Sequence, residues 1–172
     1  MKKIRQNLMK IVTCAFIATA LVSCNERGYD DYEEGATPAQ ALSGEWFVDV
    51  IDEASGTVYV QHALHKTYDN NEGKLIISDR TGPGPNDYSG WYLVSPVDYN
   101  LSNLTFSATG AENTSDGSIV NITEGKILKN AATSRDGNVV DSIYFKGEFD
   151  YDPGTIIIFS GHRRTGFHED EY

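Results

Sequence analysis

The 172-residue chain carries 14 basic and 25 acidic residues, a formal net charge of −11, and two cysteines. That balance speaks against a nucleic-acid partner, since phosphate binding needs clustered Lys and Arg, and against attraction to anionic headgroups. Two cysteines are too few for a disulfide framework.

The first ten residues hold Lys2, Lys3, Arg5 and Lys10 and no acid, and the apolar run IVTCAFIATALVSC follows. A basic start, a short apolar segment and small residues at its end describe a secretory signal over 1–23, too short to span a membrane. The segment Leu21–Cys24 resembles a lipobox, which implies cleavage before Cys24 and lipidation of its thiol. The alternative is an ordinary cleaved signal that happens to contain both cysteines. Cys14 leaves with the signal and Cys24 becomes the anchor, which excludes a cysteine nucleophile and a thiolate metal site. Attachment then rests on the acyl chains, at about 0.8 kcal/mol per buried CH₂.

Residues 24–37 form an acidic stretch without apolar periodicity and are expected to be a solvated tether. Such a stretch after a lipidated cysteine also resembles the surface-export signals of some gut-bacterial lipoproteins. The expected location is therefore the outer membrane, on its periplasmic face or at the cell surface.

From residue 38 to 172 a single domain is expected. TPAQALSG fits a turn or two of helix, with Thr37 as N-cap and Pro38 at the first helical position. Beyond it, short runs alternate apolar and polar residues. EWFVDVID sets Trp46, Val48 and Val50 against Glu45 and Asp49, and TVYVQHALH sets Val58, Val60 and Leu64 against Gln61. The runs KLIIS, WYLVSPV, LTFSA, SIVNIT, KIL, VVDSIYFKGEF and TIIIFSGHRR follow, separated by turn-rich segments. IVNITEGKIL fits one bulged strand or a tight hairpin. About eight short strands with hairpin-length links predict an all-β, antiparallel up-and-down barrel. An open two-sheet sandwich is the alternative.

Gly44-Glu45-Trp46 is similar to the Gly-x-Trp signature of lipocalins and their calycin relatives. The resemblance implies that Trp46 plugs the closed end of the barrel. It also implies that an arginine of the last strand, Arg163 or Arg164, packs on the ring and binds the backbone of the short N-terminal helix. A guanidinium over an indole gains cation–π attraction while its fork satisfies free carbonyls. Alternation admits only one of the two arginines to the interior. The other is expected to meet solvent or pair with Glu169, Asp170 or Glu171.

With KNAATS, VDSIYF, DPGT and GHRRTGF, the domain also resembles a narrower family over about residues 38–171: the calycin-like lipoproteins of Bacteroides-type bacteria called lipid-binding putative hydrolases. The residues themselves give catalysis little support. There is no G-x-S-x-G elbow, and the Ser160/His162 pair has no evident oxyanion hole. His62 and His65 fall on opposite strand faces, and DNNEG lacks the distal glutamate of a calcium loop. No catalytic residue, metal or cofactor is implied. Asp141-Ser142-Ile143 resembles a bacterial O-glycosylation acceptor but lies inside an expected strand.

The expected role is binding of a small apolar or amphipathic, lipid-like ligand by a monomer held to the membrane through its acyl anchor. Candidate contacts are Val48, Val50, Val58, Val60, Leu64 and Trp91, with loop 81–91 as a lid over the open mouth. The alternatives are a hydrolase acting on a lipid-like substrate, with a polar cluster in its cavity, and an interaction protein whose barrel is filled by its own side chains.

Overall fold

The computed structural model of the protein describes residues 37–172. Cys24, the signal segment and nearly all of the tether lie outside that range. Eight strands occupy the described residues: β1 (Gly44–Asp52), β2 (Val58–Asp69), β3 (Leu75–Ser78), β4 (Val94–Asn100), β5 (Thr105–Glu112), β6 (Ile119–Thr133), β7 (Val139–Phe149) and β8 (Ile156–Arg163). Each is antiparallel to the next, and β8 returns to pair with β1 from Trp46↔Arg163 to Asp52↔Ile157. The sheet is therefore a closed up-and-down barrel, lipocalin-like in architecture, rather than a two-sheet sandwich. IVNITEGKIL lies in one strand, β6, bulged at Glu124 (φ 55°).

The N-terminal helix is shorter than its sequence suggests. A single 3₁₀ turn spans Gln40–Leu42, and Thr37 receives the Gln40 N–H on its carbonyl at 2.9 Å instead of capping with its hydroxyl. Pro38 thus occupies the second position of a tight turn, where its fixed φ is suited. Leu42 is fully buried and stoppers the barrel end where β1 begins.

The inner wall follows the period of two, with local exceptions. Trp46, Val48 and Val50 of β1 are fully buried, and on β7 Asp141, Ile143, Phe145, Gly147 and Phe149 face inward together. On β2 the register slips: Val50 pairs with Val60 but Val48 pairs with Ala63, so Gln61 and His62 together oppose Asp49. His62 has φ 55°, and its N–H donates to Asp49 Oδ1 at 2.9 Å. This bulge reverses the faces beyond it. Ala63, His65 and Thr67 point inward, and Leu64, expected on the same face as Val58 and Val60, lies on the outer face.

Aromatic side chains fill the interior. Phe145 and Phe159 stack at 4.5 Å between centroids, Phe106 meets Phe145 at 5.8 Å, and His65 meets Phe159 edge-on at 5.8 Å. Gly161 lets β8 approach β1, for a methyl at that position would overlap the Phe47 carbonyl. Val48 and Val50 are part of this packed core.

Candidate functional site

At the closed end, Trp46 Nε1 donates to Thr67 Oγ1 at 2.9 Å, and Thr67 Oγ1 donates onward to the Leu42 carbonyl at 2.6 Å. Arg163 is the arginine that faces Trp46. Its guanidinium carbon lies 5.7 Å from the ring centroid, Nη2 reaches the Ser43 carbonyl at 3.4 Å, and Nη1 lies 3.3 Å from Asp141 Oδ2. Burial alone would raise the Asp141 carboxyl, but Lys129, the Asn130 N–H and Arg163 outweigh it and hold the group below the ordinary carboxylate range. Arg164 turns outward between Glu45 (2.6 Å) and Glu171 (2.7 Å). The two arginines thus both serve the closure: one packs under the barrel end, the other ties β8 to β1 and to the C-terminal tail.

At the opposite end, the segment between β3 and β4 folds across the mouth. WYLVSPV, expected as one strand run, is strand only from Val94, because Asp79 takes over the backbone before it. Its fully buried carboxylate accepts the N–H groups of Trp91 (2.5 Å) and Leu93 (2.9 Å), and Ser89 Oγ donates to the Leu64 carbonyl at 2.6 Å. Gly90 sits so close to the wall that a methyl there would lie 2.9 Å from Ala63 Cβ. Trp91 packs against the core and stacks on Tyr59 at 5.5 Å. Beside it a cleft of about 20 Å³ remains, lined by Trp91, Phe149, Tyr151, Asp152, Thr155 and Ile157. Of the other expected ligand contacts near this end, Val60 is half-buried against the core and Val58 is 43% exposed at the rim.

Three buried side-chain polar atoms, His65 Nε2 and Ser95 Oγ inside the barrel and Trp91 Nε1 at the mouth, have no hydrogen-bond partner among the described residues. His65 Nδ1 faces the Ala63 carbonyl at 3.2 Å. Burial pushes the imidazole pKa down, against smaller raising effects from Asp79 and that carbonyl, so the ring is neutral near pH 7. With Nδ1–H directed to the carbonyl, Nε2 presents a bare lone pair to the interior.

A protein-family model described as "lipid-binding putative hydrolase" matches residues 31–168. The chain belongs to that family. No curated protein matches it. The two halves of the family's description meet this geometry differently. The lipid-binding half meets an apolar interior with a few inward polar groups, one packed by its own aromatic side chains. The hydrolase half finds no assembled relay: Asp79 is engaged by Trp91 and Leu93, and its carboxylate does not bond His65. On the outer face, Asp49 and Ser160 are register partners and His62 lies 3.7 Å from Asp49, but His162 Nε2 is directed to the Tyr172 hydroxyl. Among the described residues no group of three His, Cys, Asp or Glu side chains is placed to hold a metal ion.

Sequence reasoning missed Asp79, Ser95 and Asn113, and although it weighed His65 and Asp170 it did not foresee that they are buried. The one available signal was Pro96, a strand breaker inside an apolar run.

Proposed function

We propose that this protein is a lipid-anchored barrel of the outer membrane that binds a small apolar or amphipathic, lipid-like molecule. The observation that carries the reading is the family membership, which extends over nearly the whole closed barrel. The unpartnered polar atoms on an otherwise apolar inner wall support it, since a ligand with one hydrogen-bonding group would satisfy an atom that is costly to leave unpaired. Anchoring rests on the Leu21–Cys24 motif and the basic, apolar segment before it. We read the barrel as a monomer, since β8 pairs back onto β1 and the sheet has no terminal edge strand to offer a second copy.

Two measurements test this. Calorimetric titration of residues 25–172 with single-chain amphiphiles is expected to give saturable one-to-one binding, and a flat titration would contradict it. Labelled palmitate is expected to enter the full-length chain and not its Cys24→Ser variant. Equal labelling of both would remove the anchor from the account.

A further inference from the structure

Four connections meet at the mouth: 53–57 between β1 and β2, 79–93 between β3 and β4, 113–118 between β5 and β6, and 150–155 between β7 and β8. They carry Glu53, Asp79, Asp87, Asp116, Asp150 and Asp152 and a single base, Arg80. That base is already engaged. Arg80 Nε donates to the Gly82 carbonyl and Nη2 to the Pro83 carbonyl, each at 2.9 Å, and its guanidinium carbon lies 5.8 Å from the Tyr88 ring centroid. Lys146, which reaches this rim from β7, is held between Glu53 at 2.8 Å and Glu124 at 2.6 Å. The rim therefore keeps an excess of negative charge that its own cations do not offset.

The same rim is aromatic. Trp91, Phe149 and Tyr151 line the cleft of about 20 Å³ together with Asp152, Thr155 and Ile157. Phe149 and Tyr151 stack at 5.2 Å, and Tyr59 stacks on Trp91 at 5.5 Å. Tyr59 and Tyr151 are 51% and 57% exposed, so each leaves much of its ring open to solvent. Carboxylates surround these rings. Tyr59 Oη donates to Asp52 Oδ2 at 3.4 Å, and burial, Asp52 and Asp152 raise the pKa of its phenol. Burial raises that of Tyr151 as well, with Asp116, Asp152 and Asp150 adding to it against a lowering effect of the Trp91 N–H. None of the ion pairs among the described residues engages Asp116, Asp150 or Asp152.

Electron-rich ring faces beside unpaired carboxylates attract positive charge, and methyl or methylene groups on the cation also bury apolar surface against the rings. A bare metal ion needs several oxygen ligands in one place, and among the described residues no group of three His, Cys, Asp or Glu side chains supplies them. An organic ammonium needs no such cage, because its charge is spread over C–H and N–H groups that ring faces satisfy. We propose that the rim of the mouth binds an organic ammonium group. Its leading groups enter the cleft against Trp91, Phe149 and Tyr151, the rest lies on the exposed ring of Tyr59, and Asp152 is the counter-charge. The cleft is too small for a whole ligand, and the exposed rings supply the remaining contact. The site lies on the rim, outside the packed interior, and so stands independently of the lipid-binding reading.

The test uses residues 25–172, a range that contains the closed ladder and its core. The probes are choline and the alcohol in which a tert-butyl group replaces its trimethylammonium, alike in shape and different in charge, titrated at constant ionic strength. Of the two tryptophans, Trp46 is fully buried at the closed end, so a fluorescence change reports on Trp91 and needs no variant. Choline is expected to change the fluorescence saturably and to bind roughly tenfold more tightly than the alcohol. Tyr151→Leu is expected to weaken choline binding roughly fivefold and Asp152→Asn roughly twofold. Tyr68→Leu, which removes an exposed tyrosine near the closed end, is expected to leave it unchanged. Equal binding of choline and the alcohol, or no response to choline, would overturn the ammonium assignment. Full binding by a folded Tyr151→Leu would overturn the cleft. A response to methyl glucoside in place of choline would make the rings a sugar platform and overturn the proposal. Each of these results leaves the interior untouched, and the lipid-binding reading stands or falls on its own titration.

Discussion

Trp46 and Arg163 are register partners across the β1–β8 ladder, and the guanidinium carbon lies 5.7 Å from the indole centroid. The pair joins the first strand to the last at the end stoppered by Leu42. The neighbouring arginine, Arg164, makes ion pairs with Glu45 and Glu171 and does not contact the indole. Arg163→Met is therefore expected to cost about 1–2 kcal/mol, from a lost cation–π contact and lost charge-assisted bonds. Arg164→Met is expected to cost less, about 0.5 kcal/mol. Urea midpoints at unchanged m-value measure both. The reverse order would assign the closure to Arg164.

This order was only half legible in the sequence. Gly44-Glu45-Trp46 and a terminal arginine pointed to the closure, but GHRR gives no sign of which arginine is inside until the register of β1 against β8 is fixed. Leu64 shows the same limit on β2. Alternation read from Val58 and Val60 breaks at the His62 bulge, and nothing in QHALH announces an extra residue. Strand number and order were readable because turns punctuate the chain. The polar residues that clasp it, Asp79, Asn113 and Asp170, were not, since an isolated acid or amide in a loop has the same sequence whether it is solvated or buried.

His65 gives the interior a pH dependence. Burial holds its folded pKa below the ordinary 6.5, so the unfolded chain takes up the proton first. Its contribution is fully present above about pH 6.5 and declines as pH falls toward the folded value. The unaltered protein is expected to lose stability as pH falls below about 6.5, and His65→Gln to show a shallower loss, measured by denaturant unfolding at each pH. Identical slopes would mean that burial does not shift the imidazole and that it titrates alike in the folded and unfolded chain.

The C-terminal tail is held by Asp170. Its carboxylate accepts from Thr165 Oγ1 (2.7 Å), Ser134 Oγ (2.7 Å), the Asp136 N–H (2.6 Å) and Asn138 Nδ2 (3.2 Å), and these bonds lower its pKa to about 2. The tail is expected to stay docked above the ordinary value of 3.8 and to loosen as pH falls from there toward about 2. At neutral pH, Asp170→Ala is expected to release residues 165–172 and free Tyr172 from its 3.6 Å stack on His62. Faster hydrogen exchange confined to the tail and the turn between β6 and β7 checks this. Unchanged exchange would place the hold elsewhere.

Among the described glycines, Gly161 leaves the least room for a side chain. Gly161→Ala sets a methyl against the Phe47 carbonyl, with no flexible side chain to yield, and is expected to cost about 2–3 kcal/mol. Gly110→Ala has open space around it and is expected to cost about 1 kcal/mol, from its left-handed backbone alone. Thermal midpoints compare the two. Equal costs would mean that β8 can move away from β1 without loss.

The central claim is that the barrel holds a lipid-like molecule. The most direct measurement is native mass spectrometry of residues 25–172 purified from a bacterial periplasm, followed by extraction and identification of anything bound. A stoichiometric mass increment from a small apolar or amphipathic molecule, lost on extraction, is expected. A clean apo mass that no added amphiphile shifts would contradict it and leave a barrel filled by its own side chains.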